Sequence, residues 1–318
     1  MICLFIMNNL LHCEQSNPLI TLIRMYPKEK WDMEAISANP LITPEFVMKN
    51  PKMKWSWQYL SQNPSINLKF VKKNLDKPWS WAFLSENKGI TVEDILGHPD
   101  FPWKWNSVSG NPNLNIDHVI AFPKKGWNWS RISMNPSMIP DVVNDYPDLP
   151  WDFWCMSYNP SINYQFVILN TNKNWLPYAL SKNEGISMED IECNVDDPMW
   201  DWSSVGFNPN ITMDFIKLNK ERLTLDDRCI MNCISRAKNI TMKDIIDNPQ
   251  FAWDLSSVSS NPNITYEFIE DYRDRINFSM LSGNKLTLLS FRMEGTDKEV
   301  KAKSPSNGLR KRCRVFYS

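Results

Sequence analysis

The chain has 318 residues, with 35 basic against 36 acidic side chains and a hydrophobic share of 42%, which excludes wholesale disorder and leaves enough apolar material for a substantial core. Its seven cysteines follow no repeated spacing, so a disulfide framework is not expected and a reducing compartment is. The first stretch, Met1 to Met7, is apolar but has no basic flank and no small-residue cleavage site, and an acid follows at Glu14. Residues 1–16 are therefore expected to form a partial first repeat or cap, not a signal peptide or a membrane span.

From Asn17 the chain repeats itself. A motif of 24 residues, Asn-Pro-x-Ile-Thr followed by Trp-x-Trp and Leu-Ser-x-Asn-Pro, is cleanest at Asn39-Pro40-Leu41-Ile42-Thr43, Trp55-Ser56-Trp57 and Leu60-Ser61-Gln62-Asn63-Pro64. Alignment on the asparagine corner places unit starts at Asn17, Asn39, Asn63, Asn87, Asn111, Asn135, Asn159, Asn183, Asn208 and Asn261, with a degenerate start near Ala237. The first of these units is two residues short, and one residue is added around Asp196 and Asp197. The unit from Asn208 has lost both tryptophans, and in the last unit Ile276 and Phe278 stand in their places. A fixed period of this length means a stack of small units that bury their apolar faces on one another.

Each unit carries two helix-start signals. The fifth position is Thr43, Asn67, Thr91, Asn115, Asn163, Ser187, Thr212, Thr241 or Thr265, side chains that cap a first helix, and only Ile139 breaks the series. Pro44 and Pro140 follow where a missing N–H costs nothing, and acids such as Glu45 and Glu93 complement the helix dipole. Ser56, Ser80, Asn128, Asp152, Asp201 and Asp254 are expected to cap a second helix, with a tryptophan just before the cap and an aliphatic residue four places after it, the spacing of a hydrophobic staple. Lys104 and Leu176 are poor caps at the same place. The Asn-Pro corner ends the second helix, because proline cannot continue it. The expectation is an all-α fold, a right- or left-handed α-solenoid of about eleven 24-residue two-helix repeats over residues 17–285, followed by a basic, disordered tail over 286–318. A leucine-rich-repeat-like coil has a similar period, but no alternating Leu-x-Leu strand is present.

Trp55, Trp79, Trp103, Trp127, Trp151, Trp175, Trp200 and Trp253 share one repeat position, and their recurrent aliphatic partners make them a structural ladder. The second series, Trp57, Trp81, Trp105, Trp129 and Trp202, gives way elsewhere to Phe153, Pro177 and Leu255, and this looser identity suggests half-buried, partner-facing places. The serines at Ser61, Ser85, Ser109, Ser133, Ser157, Ser181 and Ser259 have no general base beside them and are expected to bond a carbonyl one turn back. His12, His98 and His118 lie in different units, Cys229 and Cys233 lack a second pair, and no glycine-rich phosphate loop occurs. No catalytic, metal-binding or cofactor-binding residue is nominated.

From Lys301 onward the tail holds six positive charges and no acid, which leaves 29 basic and 36 acidic residues before it, a net of −7. That sign disfavours nucleic acid on the repeat body. Arg310, Lys311, Arg312 and Arg314 form the basic cluster through which a nuclear or nucleic-acid contact would act.

The three submotifs in fixed order resemble the tryptophan-repeat proteins of large DNA viruses, over roughly residues 17 to 285. The resemblance implies expression in a host cell, in the cytoplasm or else the nucleus, and carries no catalytic residues with it. The expected function is a non-enzymatic scaffold for a protein partner, with no membrane association and no cofactor. Specificity would be written in the variable connections between the two helices, such as Lys52-Met53-Lys54, Asp76-Lys77, Pro123 to Gly126 and Asn172-Lys173-Asn174.

Overall fold

The computed structural model describes residues 17–286. The N-terminal segment 1–16 and the basic cluster Arg310, Lys311, Arg312 and Arg314 lie outside the described residues. Among the described residues every regular element is helical, and the helices come in pairs. They are α1 (Pro18–Met25) with α2 (Met33–Ala38), α3 (Pro44–Lys49) with α4 (Trp57–Leu60), α5 (Leu68–Lys73) with α6 (Trp81–Ser85), and α7 (Val92–Gly97) with α8 (Trp105–Val108). Next follow α9 (Ile116–Ala121) with α10 (Trp129–Met134), α11 (Pro140–Asp145) with α12 (Phe153–Met156), α13 (Tyr164–Leu169) with α14 (Pro177–Ser181), and α15 (Met188–Cys193) with α16 (Trp202–Val205). The last are α17 (Met213–Leu218) with α18 (Arg228–Ser235), α19 (Met242–Asp247) with α20 (Leu255–Val258), and α21 (Tyr266–Asp271) with α22 (Phe278–Ser282). We number the pairs units 1 to 11. None of these helices is long and apolar enough to cross a membrane.

Helices this short have no stability of their own, so each is held by its caps and its neighbours. Thr43, Asn67, Thr91, Asn115, Asn163, Ser187, Thr212, Thr241 and Thr265 all accept a backbone N–H at the start of an odd-numbered helix, whereas Ile139 does not. Of the second-helix caps, Ser80, Asn128, Asp152, Asp201 and Asp254 bond as expected. Ser56 does not cap with its side chain.

The corner asparagine does more than end a helix. Asn63 is fully buried and its amide nitrogen donates to the carbonyls of Ser37, Asn39 and Ile42 in the preceding unit, at 3.0, 2.9 and 2.8 Å. Its carboxamide oxygen accepts the Ser65 N–H at 2.9 Å, which shapes the corner itself. The serine two places earlier works beside it. Ser61 Oγ donates to the Trp57 carbonyl one turn back and accepts the Ser80 N–H of the following unit. These two rows run from unit to unit along the stack. At Ala237, where the corner has no amide, Asn239 donates to the Asn210 carbonyl instead.

The rows do not stop at the last unit. Asn39 donates to the carbonyls of Ser282 and Asn284 at 3.0 and 2.9 Å, and Ser282 Oγ accepts the Asp32 N–H at 3.0 Å. Unit 11 thus stands in front of unit 1 as each unit stands in front of the next, and the stack closes into a ring. Buried apolar side chains from Leu19 to Ile90 and from Ile186 to Leu286 accordingly belong to one continuous cluster across the chain ends.

Closure corrects one expectation. Asn17-Pro18-Leu19-Ile20-Thr21 matches the corner at Asn39 closely, yet Asn17 is the N-cap of α1, accepting the Leu19 and Ile20 N–H groups with Pro18 in the first turn. The corner of unit 1 comes from the other end of the chain, where Asn284 accepts the Leu286 N–H and donates to Ser259 and Asn261. Corner asparagines donate back to the preceding unit, as Asn63 does to Ser37 and Asn39, whereas the Asn17 amide donates forward to the Leu41 carbonyl.

Candidate interaction surface

Where like-numbered helices of adjacent units come close together, as α2 with α4, α6 with α8, α10 with α12 and α22 with α2, they are even-numbered, and no odd-numbered neighbours approach as closely. In a closed ring the more crowded layer is the inner one, so the even helices surround the lumen and the odd helices form the rim. One residue of each even helix, among them Leu60, Leu84, Ile132, Met156, Leu180 and Leu281, is fully buried against the odd layer. Residues two places before and after it lie about 200° round a helix of 3.6 residues per turn and point away from that layer, towards the lumen. Every one of these positions is exposed or half-buried.

Around most of the lumen these places hold small or polar side chains: Gln58 and Gln62, Asn106 and Gly110, Ser256 and Ser260, Ser279 and Gly283. One sector differs. Met134 of unit 5, Trp154 and Tyr158 of unit 6 and Tyr178 of unit 7 are exposed, Trp154 at 55% and Tyr178 at 46%. Every other large exposed apolar side chain among the described residues lies on an odd helix or beside its ends. Lys182 Nζ sits 3.7 Å from the Tyr178 ring centroid and 5.5 Å from that of Tyr158, joining units 6 and 7. Among the described residues no carboxylate pairs with it. Arg131, by contrast, passes over Gly110 to Glu86 at 2.9 Å.

The platform under Trp154 is firmly made. Asp152 caps α12 through the Cys155 N–H at 3.1 Å and accepts the Ser130 hydroxyl at 2.8 Å. Burial pushes the Asp152 carboxyl up, but the hydrogen bonds from Cys155 and Ser130 outweigh it and hold the group below the usual carboxylate range.

The tryptophans nominated from the sequence occupy a different layer. Trp79, Trp103, Trp175, Trp200 and Trp253 are buried, and Trp55, Trp127 and Trp151 are half-buried. Each indole donates to a carbonyl at the end of the preceding odd helix, as Trp79 does to Asn74 at 2.7 Å and Trp103 to His98 at 2.9 Å. Trp31 makes the same bond to Tyr26 and belongs to this series, although the sequence motif did not single it out.

Trp57, Trp81, Trp105, Trp129 and Trp202 are all half-buried. The first four meet the tryptophan of the next unit edge to face, with centroids 5.0 to 5.5 Å apart. Lys77, Lys125 and Arg222 lie over Trp57, Trp105 and Trp202, at 5.8, 4.6 and 5.3 Å. The connections that carry these cations therefore serve packing as well as surface. The lumen sector was missed because the motif marks it only as gaps between conserved letters. Its signal was available two places either side of the buried aliphatic residue.

No group of three or more metal-ligating side chains occurs among the described residues. Compared with known protein families, curated proteins and solved structures, the chain matches none.

Proposed function

We propose that this protein is a non-enzymatic repeat scaffold for protein–protein interaction. The observation that carries this is the lumen sector: on a surface otherwise lined mostly with small and polar side chains, with Phe207 only half-exposed, Trp154, Tyr158 and Tyr178 stand exposed in adjacent units. Tryptophan and tyrosine are the residues that dominate binding energy when they are buried by a partner. The resemblance to viral tryptophan-repeat proteins supports a viral protein acting on host or viral partners. Full-length bait is expected to recover specific proteins from infected cells, and a correctly folded bait that recovers none above background would sink this proposal.

A second proposal rests on the cluster Arg310, Lys311, Arg312 and Arg314. It makes the tail a nuclear or nucleic-acid contact, in keeping with the acidic excess that disfavours nucleic acid on the body. Deleting residues 301 to 318 should then abolish nuclear entry or binding to an oligonucleotide, and an unchanged distribution and affinity would rule it out.

A further inference from the structure

We infer that the lumen sector of units 5 to 7 receives a short polypeptide segment of a partner, one that sets an aspartate or glutamate beside an apolar side chain. This rests on the scaffold proposal and names the class of partner. Three observations lead to it.

The first is size. Eleven even helices at a packed spacing of ~9 Å define a circle roughly 30 Å across between axes, and side chains reduce the opening to about 20 Å. A single extended or helical segment enters such an opening, whereas a folded domain does not. The second is shape. Trp154 and Tyr158 project from one unit and Tyr178 and Lys182 from the next, each pair four places apart across the end of an even helix. The pairs form a two-rung apolar surface long enough for several residues of an incoming chain. The third is charge. Lys182 is held against two aromatic rings with no carboxylate paired to it among the described residues; Arg131 is paired with Glu86, and Arg236, at the matching place in unit 9, lies over no aromatic ring among the described residues. A carboxylate arriving on Lys182 satisfies the cation and leaves the residue beside it over Trp154. The net negative charge of the repeat body argues against a polyanion in the same place.

The test uses the full chain and a displayed library of random decapeptides. With the unaltered protein, selected peptides should be enriched in Asp or Glu next to an aromatic or large aliphatic residue. W154A and Y178A should each lower the recovery of these peptides about tenfold, as loss of a central aromatic anchor does. K182E should invert the acidic preference to a basic one, which a merely misfolded variant cannot do. L169D, on the outer rim, should change nothing.

Enrichment that ignores charge at position 182, or that is lost in L169D and kept in W154A, would overturn the inference while leaving the scaffold proposal intact. A photoreactive amino acid at position 130 gives a second measurement. Cross-linking to a selected peptide is expected, and cross-linking to residues 1–16 or 287–318 of the same chain would overturn the inference in favour of an internal occupant. Recovery of neither library peptides nor cellular proteins would remove both proposals together.

Discussion

The junction between units 2 and 3 and the junction between units 11 and 1 have the same plan but different origins. In the first, Trp57 meets Trp79 edge to face at 5.0 Å, Ser61 receives the Ser80 N–H, and Asn87 donates to Ser61 and Asn63. In the second, Phe278 meets Trp31 at 5.3 Å and 74°, Ser282 receives the Asp32 N–H, and Asn39 donates to Ser282 and Asn284. The first joins units adjacent in sequence, whereas the second joins residues about 250 positions apart and bears a loop-closure cost that an interior junction does not. It also has contacts that the junction of units 2 and 3 lacks: Tyr26 packs on Phe278 and bonds Glu270, and Arg273 pairs with Glu29. An open array needs terminal units with polar outer faces. Here Ile36 and Leu281 are as buried as their interior counterparts, and closure replaces the caps.

The largest effects should come from the asparagine row. Asn159 is fully buried and donates to the carbonyls of Ser133, Asn135 and Met138 at 3.1, 2.8 and 2.9 Å. Asn159→Ala leaves all three short of a donor at the unit interface, and a loss of about 3 kcal/mol or more in global stability is expected from urea unfolding. Asn39→Ala removes the two bonds across the closing junction. It should raise amide exchange selectively in residues 17–38 and 266–286 while lowering the unfolding midpoint less. Equal midpoint shifts with uniform exchange would show that the two junctions are energetically alike.

An intermediate effect is expected at the corners that lack proline. At Asn87-Lys88-Gly89 the backbone comes so near the start of unit 3 that a Cβ on Gly89 would stand 2.1 Å from the Ile66 carbonyl oxygen, and Gly185 repeats this on Ile162. Gly89→Ala should cost about 1–3 kcal/mol, as overpacking does. Gly97 meets nothing within 4 Å and closes α7, so Gly97→Ala should be neutral or stabilise by up to ~1 kcal/mol. Thermal melts of the pair would decide, and similar losses at both positions would contradict the steric account.

These corners also show what could be read from the amino-acid sequence and what could not. The caps at Thr43 or Asp152 are local signals, because a side-chain oxygen and its N–H partner lie within three residues, and they are visible without any knowledge of the stack. The period and the tryptophan places are legible for the same reason. The duty of the corner asparagine is not local, since its bonds reach back more than twenty residues. Its trace was the persistence of Asn87, Asn183 and Asn284 where proline is replaced by Lys88, Glu184 and Lys285. Asn17 misled because it satisfies the corner pattern and the cap pattern equally, and only the closing contact of Asn284 separates them. The lumen sector depends on which helix layer faces inward, which no periodicity in this sequence states.

A smaller effect, confined to one junction, is expected in alkali. Tyr26 is buried at the ring closure and its hydroxyl donates to Glu270; burial first, and then that carboxylate, push its pKa well above the ordinary tyrosine value. A group with a raised folded pKa gives stability that is complete below the unfolded value, near pH 10, and is lost as pH rises beyond it. Tyr164 behaves alike inside the array, pushed up to about 12 by burial and Asp197. Between pH 9 and 11 both regions should therefore begin to lose protection. Tyr26→Phe should abolish the alkaline loss around residues 17–38 and 266–286 and leave that around Tyr164 unchanged. Retention of the alkaline loss at the closure in Tyr26→Phe would assign it to another group.

The smallest effect separates the polar and apolar parts of the closure. Arg273 bonds Glu29 at 3.1 Å and lies over the Tyr26 ring at 4.9 Å, with side-chain exposures of 49% for the arginine and 33% for the glutamate. Solvent screens a pair this open, so Glu29→Gln should cost less than ~1 kcal/mol and its effect should vanish in concentrated salt. Arg273→Ala removes both the charge and the guanidinium stacked on Tyr26, and part of its cost should survive in salt because a cation over a partly desolvated ring keeps its dispersion contact. If salt erased the difference between wild type and Arg273→Ala in junction exchange, the closure would depend on charge at this point. If a remainder persists, the Tyr26, Phe278 and Trp31 cluster holds the ring shut, as the paired tryptophans do at the four junctions from unit 2 to unit 6.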